Sequence, residues 1–257
     1  MKEGVCRLCL ENRPLIKQSH IIPEFMFKRL MSTGDQAFLK GYKDKFSPDP
    51  KFKPVQTGLF EKHILCSRCD NEIIGSFENY ASRVLSNGPQ RKRVKVSVQH
   101  HVTEKGTSFF RYSNIDYAQF KLFLLSLIWK SSVSSNEMFE SVKLGPHEEV
   151  IRNMIVNGNP GKEGQYPVNI LKLSEKSNVP TQFIEKPICI KTEAGHRVYR
   201  YTILGNIYLF YVSGTRHKLP TNVVSQSILM SNHLNMLEIP PNQTNNYVDM
   251  LLKPLLK

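Results

Sequence analysis

Residues 66–85 read CSRCDNEIIGSFENYASRVL, in which a CxxC pair runs directly into an apolar stripe. Ile73, Phe77 and Val84 recur at intervals of four and seven residues. Apolar residues at these intervals lie on one face of a helix. A cysteine pair followed by an amphipathic helix is typical of the second half of a small zinc-binding fold, so this stretch predicts a metal-stabilised N-terminal module.

A second CxxC pair, CRLC, stands near the N-terminus and completes a set of four thiols. The start MKEGVCRLCL has no apolar segment of the signal-peptide type, so we expect a cytoplasmic protein with reduced thiols. Four thiolates satisfy tetrahedral Zn²⁺, and the alternative is that one pair is an incidental or redox dithiol. The predicted structural zinc ligands are Cys6, Cys9, Cys66 and Cys69. The fifth cysteine, Cys189, lies in the apolar run PICI and is predicted to be buried and inert.

Between the two cysteine pairs lies QSHIIPEF, residues 18–25, with a histidine in an apolar setting. The pKa of a neutral imidazole lies near the working pH of most enzymes, which suits His20 to the role of a general base. A histidine of an apolar strand also serves as a core residue that hydrogen-bonds a backbone carbonyl. Both interpretations of His20 remain open on the sequence.

The order CxxC, then Ser-His-Ile-Ile-Pro, then CxxC leading into a helix resembles the HNH (ββα-metal) endonuclease superfamily in its treble-clef zinc form. The resemblance covers residues 4–85. It implies hydrolysis of DNA phosphodiesters, with His20 as the base that activates water and a divalent cation, Mg²⁺ or Mn²⁺, as catalytic cofactor. The alternative is a treble-clef zinc protein that binds nucleic acid or a partner protein without cutting.

The family places a metal-binding Asp or His directly before the base and an Asn or His just after the last cysteine. These positions are Ser19 and Asp70 in this sequence. A carboxylate is a good ligand for a hard cation, whereas a serine hydroxyl is a poor one. His63 is therefore a candidate substitute for Ser19, and the other candidates are Asn71, Glu72 and Glu78. The Asn that the family usually has a few residues before the second CxxC is not evident, and Glu61 and His63 are the polar residues near that position.

The combination of the CxLC and SHIIP start with LSLIWKSSVS (125–134) and LGPHEE (144–149) resembles an uncharacterised group of bacterial HNH-like proteins. For that group we expect a setting in phage defence. His147 and the two glutamates after it admit a metal-binding interpretation. A proline at the first position and acids in the first turn favour a helix start instead.

Charge favours a polyanionic partner, most simply nucleic acid with DNA preferred. The net charge is +13, and residues 1–111 carry 20 Lys and Arg against 11 Asp and Glu, a net +9. Neutralising phosphates releases counterions, so basic residues contribute strongly to such binding. The predicted nucleic-acid contacts are Arg68, Arg91, Lys92, Arg93 and Lys95, and Arg91, Arg93 and Lys95 would share one face of an extended strand. The alternative is a solvated strand edge that discourages further pairing.

The predicted fold class is α+β, divided into a zinc-bound module over residues 1–111 and a portion of unassigned role over 112–257. Alternation in RKRVKVSVQHHV and TSFFRY predicts a basic hairpin that turns at EKG, and HILC predicts a strand entering the second pair. Asp116 is placed to cap a buried helix through DYAQFKLFLLSLIWKSSVSS. Residues 168–213 predict antiparallel strands. No segment is long and apolar enough to span a membrane, and oligomerisation stays open.

Overall fold

The computed structural model describes residues 2–26, 38–40, 53–54, 59–85, 93–176, 183–192, 194–213, 218–244 and 246. Within these residues the chain is a mixture of helices and strands with one large sheet and a cluster of four cysteines. No helix in this part of the chain has the length and apolarity needed to cross a membrane.

The N-terminal third folds around the two cysteine pairs. Its strands are β1 Lys2–Val5, β2 Asn12–Leu15, β3 Ser19–His20, β4 Phe38–Lys40, β5 Lys53–Pro54 and β6 Phe60–Glu61. Strands β1 and β2 form an antiparallel hairpin around the first pair. Strand β3 pairs antiparallel with β6, and Ser19 lies opposite Glu61. The strand that carries His20 is thereby held beside the segment that leads to the second cysteine pair.

The chain that follows the second pair is helical, as the apolar stripe predicts. Arg68–Ile74 forms a π-helical segment that continues into helix α1, Gly75–Leu85. Phe77, Ala81 and Val84 are buried on one side of α1. Short π-helical segments occur frequently at functional sites, and this one contains Asp70.

A nine-stranded sheet contains β4, β5 and all the strands that follow β6. Its further strands are β7 Ser97–Val102, β8 Ser108–Ser113, β9 Val168–Leu173, β10 Phe183–Lys191, β11 Arg197–Ile203, β12 Asn206–Val212 and β13 His233–Ile239. Their order is β5-β4-β10-β11-β12-β9-β13-β8-β7. Only the pairs β4–β10 and β9–β13 are parallel among the described strands. The predicted strands of residues 168–213 are confirmed.

Three further helices are α2 Tyr117–Val133, α3 Pro146–Val156 and the short α4 Thr221–Ser225. A 3₁₀ turn, Glu137–Phe139, lies between α2 and α3. The Asp116 side chain accepts a 3.0 Å hydrogen bond from the Gln119 amide, which confirms the predicted cap of α2. Pro146 opens α3 with acidic residues in its first turn, which confirms the predicted helix start. Helix α2 is buried over most of its surface and packs against α1 and α3.

One continuous hydrophobic cluster extends from Cys6 in the cysteine module to Met236 in the sheet. Strand β8 spans residue 111 and pairs with β13, so the predicted domain boundary falls inside a strand of the large sheet. The cysteine module and the α+β portion therefore share a core along the described chain.

Three sequence expectations need correction. The hairpin is present, but β7 begins at Ser97, because residues 93–95 form a turn in which Lys95 adopts a φ of 55°. The segment from His63 to Cys66 bends rather than extends, since His63 has a φ of 58° and only Cys66 makes a bridge, to Leu15. Cys189 is exposed, not buried. The C-terminal part of the chain, for which the sequence made no prediction, supplies β13, which lies between β9 and β8 in the sheet.

Candidate functional site

Four thiols converge in the N-terminal third of the chain. The Sγ atoms of Cys6, Cys9, Cys66 and Cys69 all lie within 4.8 Å of one another. Three of these cysteines are buried, and Cys9 is partly exposed. The predicted ligand set is therefore brought together in the structure.

Backbone hydrogen bonds shape both cysteine turns. The amide of Cys6 donates to Glu11 O, and the amide of Leu10 donates to Cys6 O at 2.8 Å. In the second turn the amide of Asp70 donates to Cys66 O, and the amide of Cys66 donates to the Cys6 sulfur at 3.3 Å. Amide donors aimed at sulfur favour the thiolate form, so the backbone is arranged for metal ligation.

Neighbouring thiols and burial shift the pKa values of the cysteines in the cluster. A hydrogen bond from Cys69 lowers the pKa of Cys6 to about 4. The same hydrogen bond, together with burial, raises the pKa of Cys69. Burial also raises the pKa of Cys9. Four thiols this close together, three of them buried, cannot all ionise without a compensating cation, so binding of a metal would release protons.

The geometry of the four sulfurs fits a metal such as zinc. Zn–S bonds of about 2.3 Å in a tetrahedron place sulfurs about 3.8 Å apart, and the four Sγ atoms all lie within 4.8 Å of one another. The ligands close a loop that contains residues 10–65, and a metal would offset the entropy that closing this loop costs. Four protein ligands leave no open position, which is typical of a structural rather than a catalytic zinc.

A second polar group, which we call the Ser19 corner, consists of Ser19 and Asp70, and His20 is the next residue along β3. The Ser19 hydroxyl donates a 2.5 Å hydrogen bond to Asp70 Oδ1, and Ser19 is fully buried. The two positions at which the HNH resemblance implies cation ligands are thus in direct contact. Because side chains alternate along a strand, the side chains of Ser19 and His20 leave β3 on opposite sides. His20 is partly buried.

Other candidate ligands of the corner are engaged elsewhere. Glu61 accepts hydrogen bonds from the Ser134 hydroxyl at 2.7 Å and from the Ser135 amide at 2.8 Å. Burial opposes the ionisation of Glu61, but these hydrogen bonds outweigh it and lower its pKa. Glu78 accepts a hydrogen bond from Lys130. Asn71 donates to the Ser67 hydroxyl, and Glu72 is exposed.

His63, the predicted substitute ligand, has a buried Nδ1 atom that receives no hydrogen bond from any described residue. Its amide donates to Ile16 O at 3.1 Å. Among the described residues, the four cysteines are the only group of three or more His, Cys, Asp or Glu side chains whose ligand atoms converge. Among the described residues, Asp70 therefore belongs to no such group, and the corner offers the Asp70 carboxylate and the Ser19 hydroxyl.

This donor set fits Mg²⁺ or Mn²⁺ only as a site that the substrate completes. Mg²⁺ usually keeps several waters and is held by one or two carboxylates together with substrate phosphates. Serine and threonine hydroxyls serve as Mg²⁺ ligands in phosphate-binding loops. Asp70 and Ser19 are the residues that would hold such a cation here.

The predicted nucleic-acid contacts are only partly described. Arg68 is exposed in the π-helical segment, directly between the cysteines of the second pair. Arg93 and Lys95 are exposed in the turn that precedes β7, not on an extended strand. Arg91 and Lys92 lie outside the described residues.

The structure also adds residues that the sequence analysis missed. The Lys130 ammonium, on α2, donates to the carbonyl oxygen of His20, and the Arg152 guanidinium, on α3, donates to Leu8 O in the first cysteine turn. Both contacts bridge more than 100 positions of sequence, so no local pattern reveals them. A lysine inside an apolar helix was the one available signal, because a buried charge requires a partner.

Comparisons with protein-family models, with curated protein sequences and with solved structures give no match to this chain. The resemblance to HNH endonucleases therefore rests on the residues quoted above and stays a prediction.

Proposed function

We propose that this protein is a metal-dependent endonuclease of the HNH type that hydrolyses phosphodiester bonds in DNA. The observation that carries the proposal is the hydrogen bond between Ser19 and Asp70. It links the strand of the candidate base to the start of the helical segment that follows the second cysteine pair. This is the arrangement that the resemblance requires, with a treble-clef zinc module as its scaffold.

In the proposed reaction the His20 imidazole accepts a proton from a water molecule. The water oxygen then forms a bond to phosphorus, the P–O3′ bond breaks, and the departing 3′ oxygen takes a proton from solvent. The products are a 5′-phosphate and a 3′-hydroxyl, with no change in oxidation state. A divalent cation at Asp70 and Ser19, when bound, would stabilise the negative charge that develops on the phosphate and the leaving oxygen.

Charge supports a nucleic-acid substrate. The first 111 residues have a net charge of +9, and Arg68, Arg93 and Lys95 are exposed around the zinc module and hairpin. Arginine and lysine contacts to phosphates position a nucleic acid without reading its sequence. These residues are proposed to hold the DNA backbone against the Ser19 corner.

The test is cleavage of plasmid DNA by the purified full-length chain with Mg²⁺ or Mn²⁺. We expect nicking by the wild type, a loss of at least about 100-fold in His20→Ala, and normal activity in His233→Ala. His233 is a suitable control because it lies on β13, far along the chain from the corner. If wild type and His20→Ala are equally inert on DNA and on RNA with every divalent metal, the proposal is wrong.

A second candidate function is binding of nucleic acid without cleavage. It is favoured because, among the described residues, Asp70 belongs to no converging group of three or more His, Cys, Asp or Glu side chains. It predicts that affinity for a DNA oligonucleotide in EDTA falls steeply with salt and is unchanged in His20→Ala. The double charge reversal Arg93→Glu/Lys95→Glu should abolish that binding. Affinity that does not change with salt would exclude this candidate.

A further inference from the structure

Lys130 is a buried charge at the junction of three elements. It lies near the end of α2, and only 1% of its surface is exposed. Its Nζ atom donates to the carbonyl oxygen of His20 at 2.6 Å and to Glu78 Oε1 at 2.5 Å. Lys130 thereby connects α2 with β3, which carries His20, and with α1, which carries Glu78.

The energetics of burial make this connection rigid. An ammonium group removed from water requires an anionic partner and well-formed hydrogen bonds, otherwise it is strongly unfavourable. Glu78 supplies the negative charge and the His20 carbonyl supplies a second acceptor. Neither acceptor can be withdrawn without leaving the ammonium poorly compensated.

Strand β3 needs such an external hold. It contains two residues, and its only described strand partner, β6, is equally short. Beyond the strand, the Ile21 amide donates to Leu59 O at 2.8 Å. Such a short two-stranded ladder is marginal on its own, so contacts from the surrounding helices set the position of its backbone.

We infer that Lys130 is a positioning residue for His20. Its ammonium holds the carbonyl oxygen of His20, and Glu78 holds the ammonium in place. This inference rests on the proposed hydrolytic function of the Ser19 corner. It makes α2, which belongs to the portion after residue 111, part of the catalytic apparatus. Lys130 does not contact the reacting atoms and acts only through the residue it holds.

Helix α2 provides a matched control in Lys121. Lys121 is also 1% exposed, and its ammonium donates to Tyr117 Oη at 2.9 Å and to Lys162 O at 2.5 Å. Both lysines thus donate to a backbone carbonyl of another segment, which is Lys162 for Lys121 and His20, on β3, for Lys130. Burial lowers the pKa of Lys121 to about 7, with a smaller opposing effect from Glu163. A variant of Lys121 reports the general consequence of removing a buried amine from α2.

The first experiment compares Lys130→Met with Lys121→Met in cleavage assays, after correction for the folded fraction and zinc content. We expect kcat to fall at least about 100-fold in Lys130→Met with KM unchanged, because a displaced base reacts poorly although the substrate still binds. Lys121→Met should retain kcat within about threefold. Lys130→Arg, which keeps the charge and several donors, should restore part of the activity. Equal kcat in the two methionine variants would overturn the inference.

The second experiment does not depend on turnover. Hydrogen exchange of the backbone amides in residues 16–22 should accelerate at least about tenfold in Lys130→Met and remain at the wild-type rate in Lys121→Met. Exchange in residues 2–15 serves as the internal reference for an intact cysteine module. Unchanged exchange in Lys130→Met would overturn the positioning role. If the wild type cleaves no substrate but the exchange rates differ as expected, the proposed function fails and the hold of Lys130 on β3 stands.

Discussion

The cysteine cluster and the Ser19 corner lie on the same small scaffold, yet they differ in how much of a metal site the protein supplies. The cluster brings four ligand atoms within 4.8 Å of one another. The corner supplies one carboxylate and one hydroxyl, which bond to each other. The first arrangement is complete without any further molecule, whereas the second becomes a cation site only when another molecule contributes oxygen ligands.

Because of this difference, we expect the cluster to contribute to the stability of the fold and the corner to contribute to the proposed reaction. A saturated site holds its metal permanently and contributes to folding, and it offers no position at which a substrate can bind. An incomplete oxygen site binds its cation weakly but leaves room for a phosphate. If the proposed function is correct, metal removal should affect the cluster through folding and the corner through activity.

The largest effect is expected from removing a ligand of the cluster. Cys66→Ser should lose zinc and unfold the N-terminal module, because structural zinc contributes roughly 10 kcal/mol or more to the folding of small zinc modules. Metal analysis and thermal unfolding of the purified variant measure both consequences. Cys189→Ser is the control, since Cys189 is exposed and lies outside the cluster. A Cys66→Ser protein with full metal content and an unchanged melting temperature would contradict the assignment of the cluster.

The next effect comes from adding a ligand to the corner. Ser19→Asp would place a second buried carboxylate against Asp70, and repulsion between them should cost about 3 kcal/mol in EDTA. Mn²⁺ in large excess should recover about 2–3 kcal/mol of this loss, because a cation that binds the folded state stabilises it. Urea unfolding with and without Mn²⁺ provides the measurement.

Ser76→Asp is the control for the added charge, because Ser76 is exposed near the start of α1. We expect its stability to be independent of Mn²⁺. If Mn²⁺ stabilises both variants equally, the corner has no particular affinity for a cation.

The contrast also explains which parts of the molecule were predictable. The four ligands and α1 follow from local patterns, the CxxC spacing and an apolar stripe in residues 66–85, and both are present. The resemblance named Ser19 and Asp70 as equivalent positions, and the structure brings them together although 51 residues separate them. For the ligand pairs and α1, residue identity at a short spacing is sufficient, because a metal or a helix imposes its own geometry.

Long-range partners were not predictable in the same way. A lysine in the apolar run FKLFLLSLIWK indicates that its charge must be compensated, but nothing local identifies Glu78 and the His20 carbonyl as the partners of Lys130. The placement of β13 beside β9 depends on sheet order, which is a non-local property. The start of β7 was misjudged because alternation continues through Lys95, whose positive φ breaks the strand.

A smaller effect is expected at Glu61, which lies opposite Ser19 but bonds to the turn after α2. Glu61→Gln should cost about 1–2 kcal/mol at pH 7, since charge-assisted hydrogen bonds from Ser134 and Ser135 are weakened. The folded pKa of Glu61 is lowered, so its stabilising effect is present above the unfolded pKa and is lost as the pH falls through the folded pKa.

The difference in unfolding free energy between wild type and Glu61→Gln should therefore shrink as the pH is lowered below about 4. Urea unfolding at pH 7, 5 and 3.5 measures this dependence. Glu104→Gln, at an exposed position in the β7–β8 turn, serves as the reference. A difference that is constant across this range would show that the carboxylate charge contributes nothing.

The smallest expected effect is a change in unfolding free energy caused by backbone strain in the first cysteine turn. Leu10 has a φ of 62° and an exposed side chain, so it adopts a left-handed conformation that disfavours residues with a Cβ atom. Leu10→Gly should raise the unfolding free energy by about 0.5–1 kcal/mol, because relief of strain exceeds the added flexibility of the unfolded chain. Val5→Gly, at an exposed position on β1, should lower it by a similar amount. Changes of opposite sign in the unfolding free energies of the two variants, measured by thermal unfolding, would show that the cysteine turn is strained at Leu10. Changes of the same sign would contradict this strain.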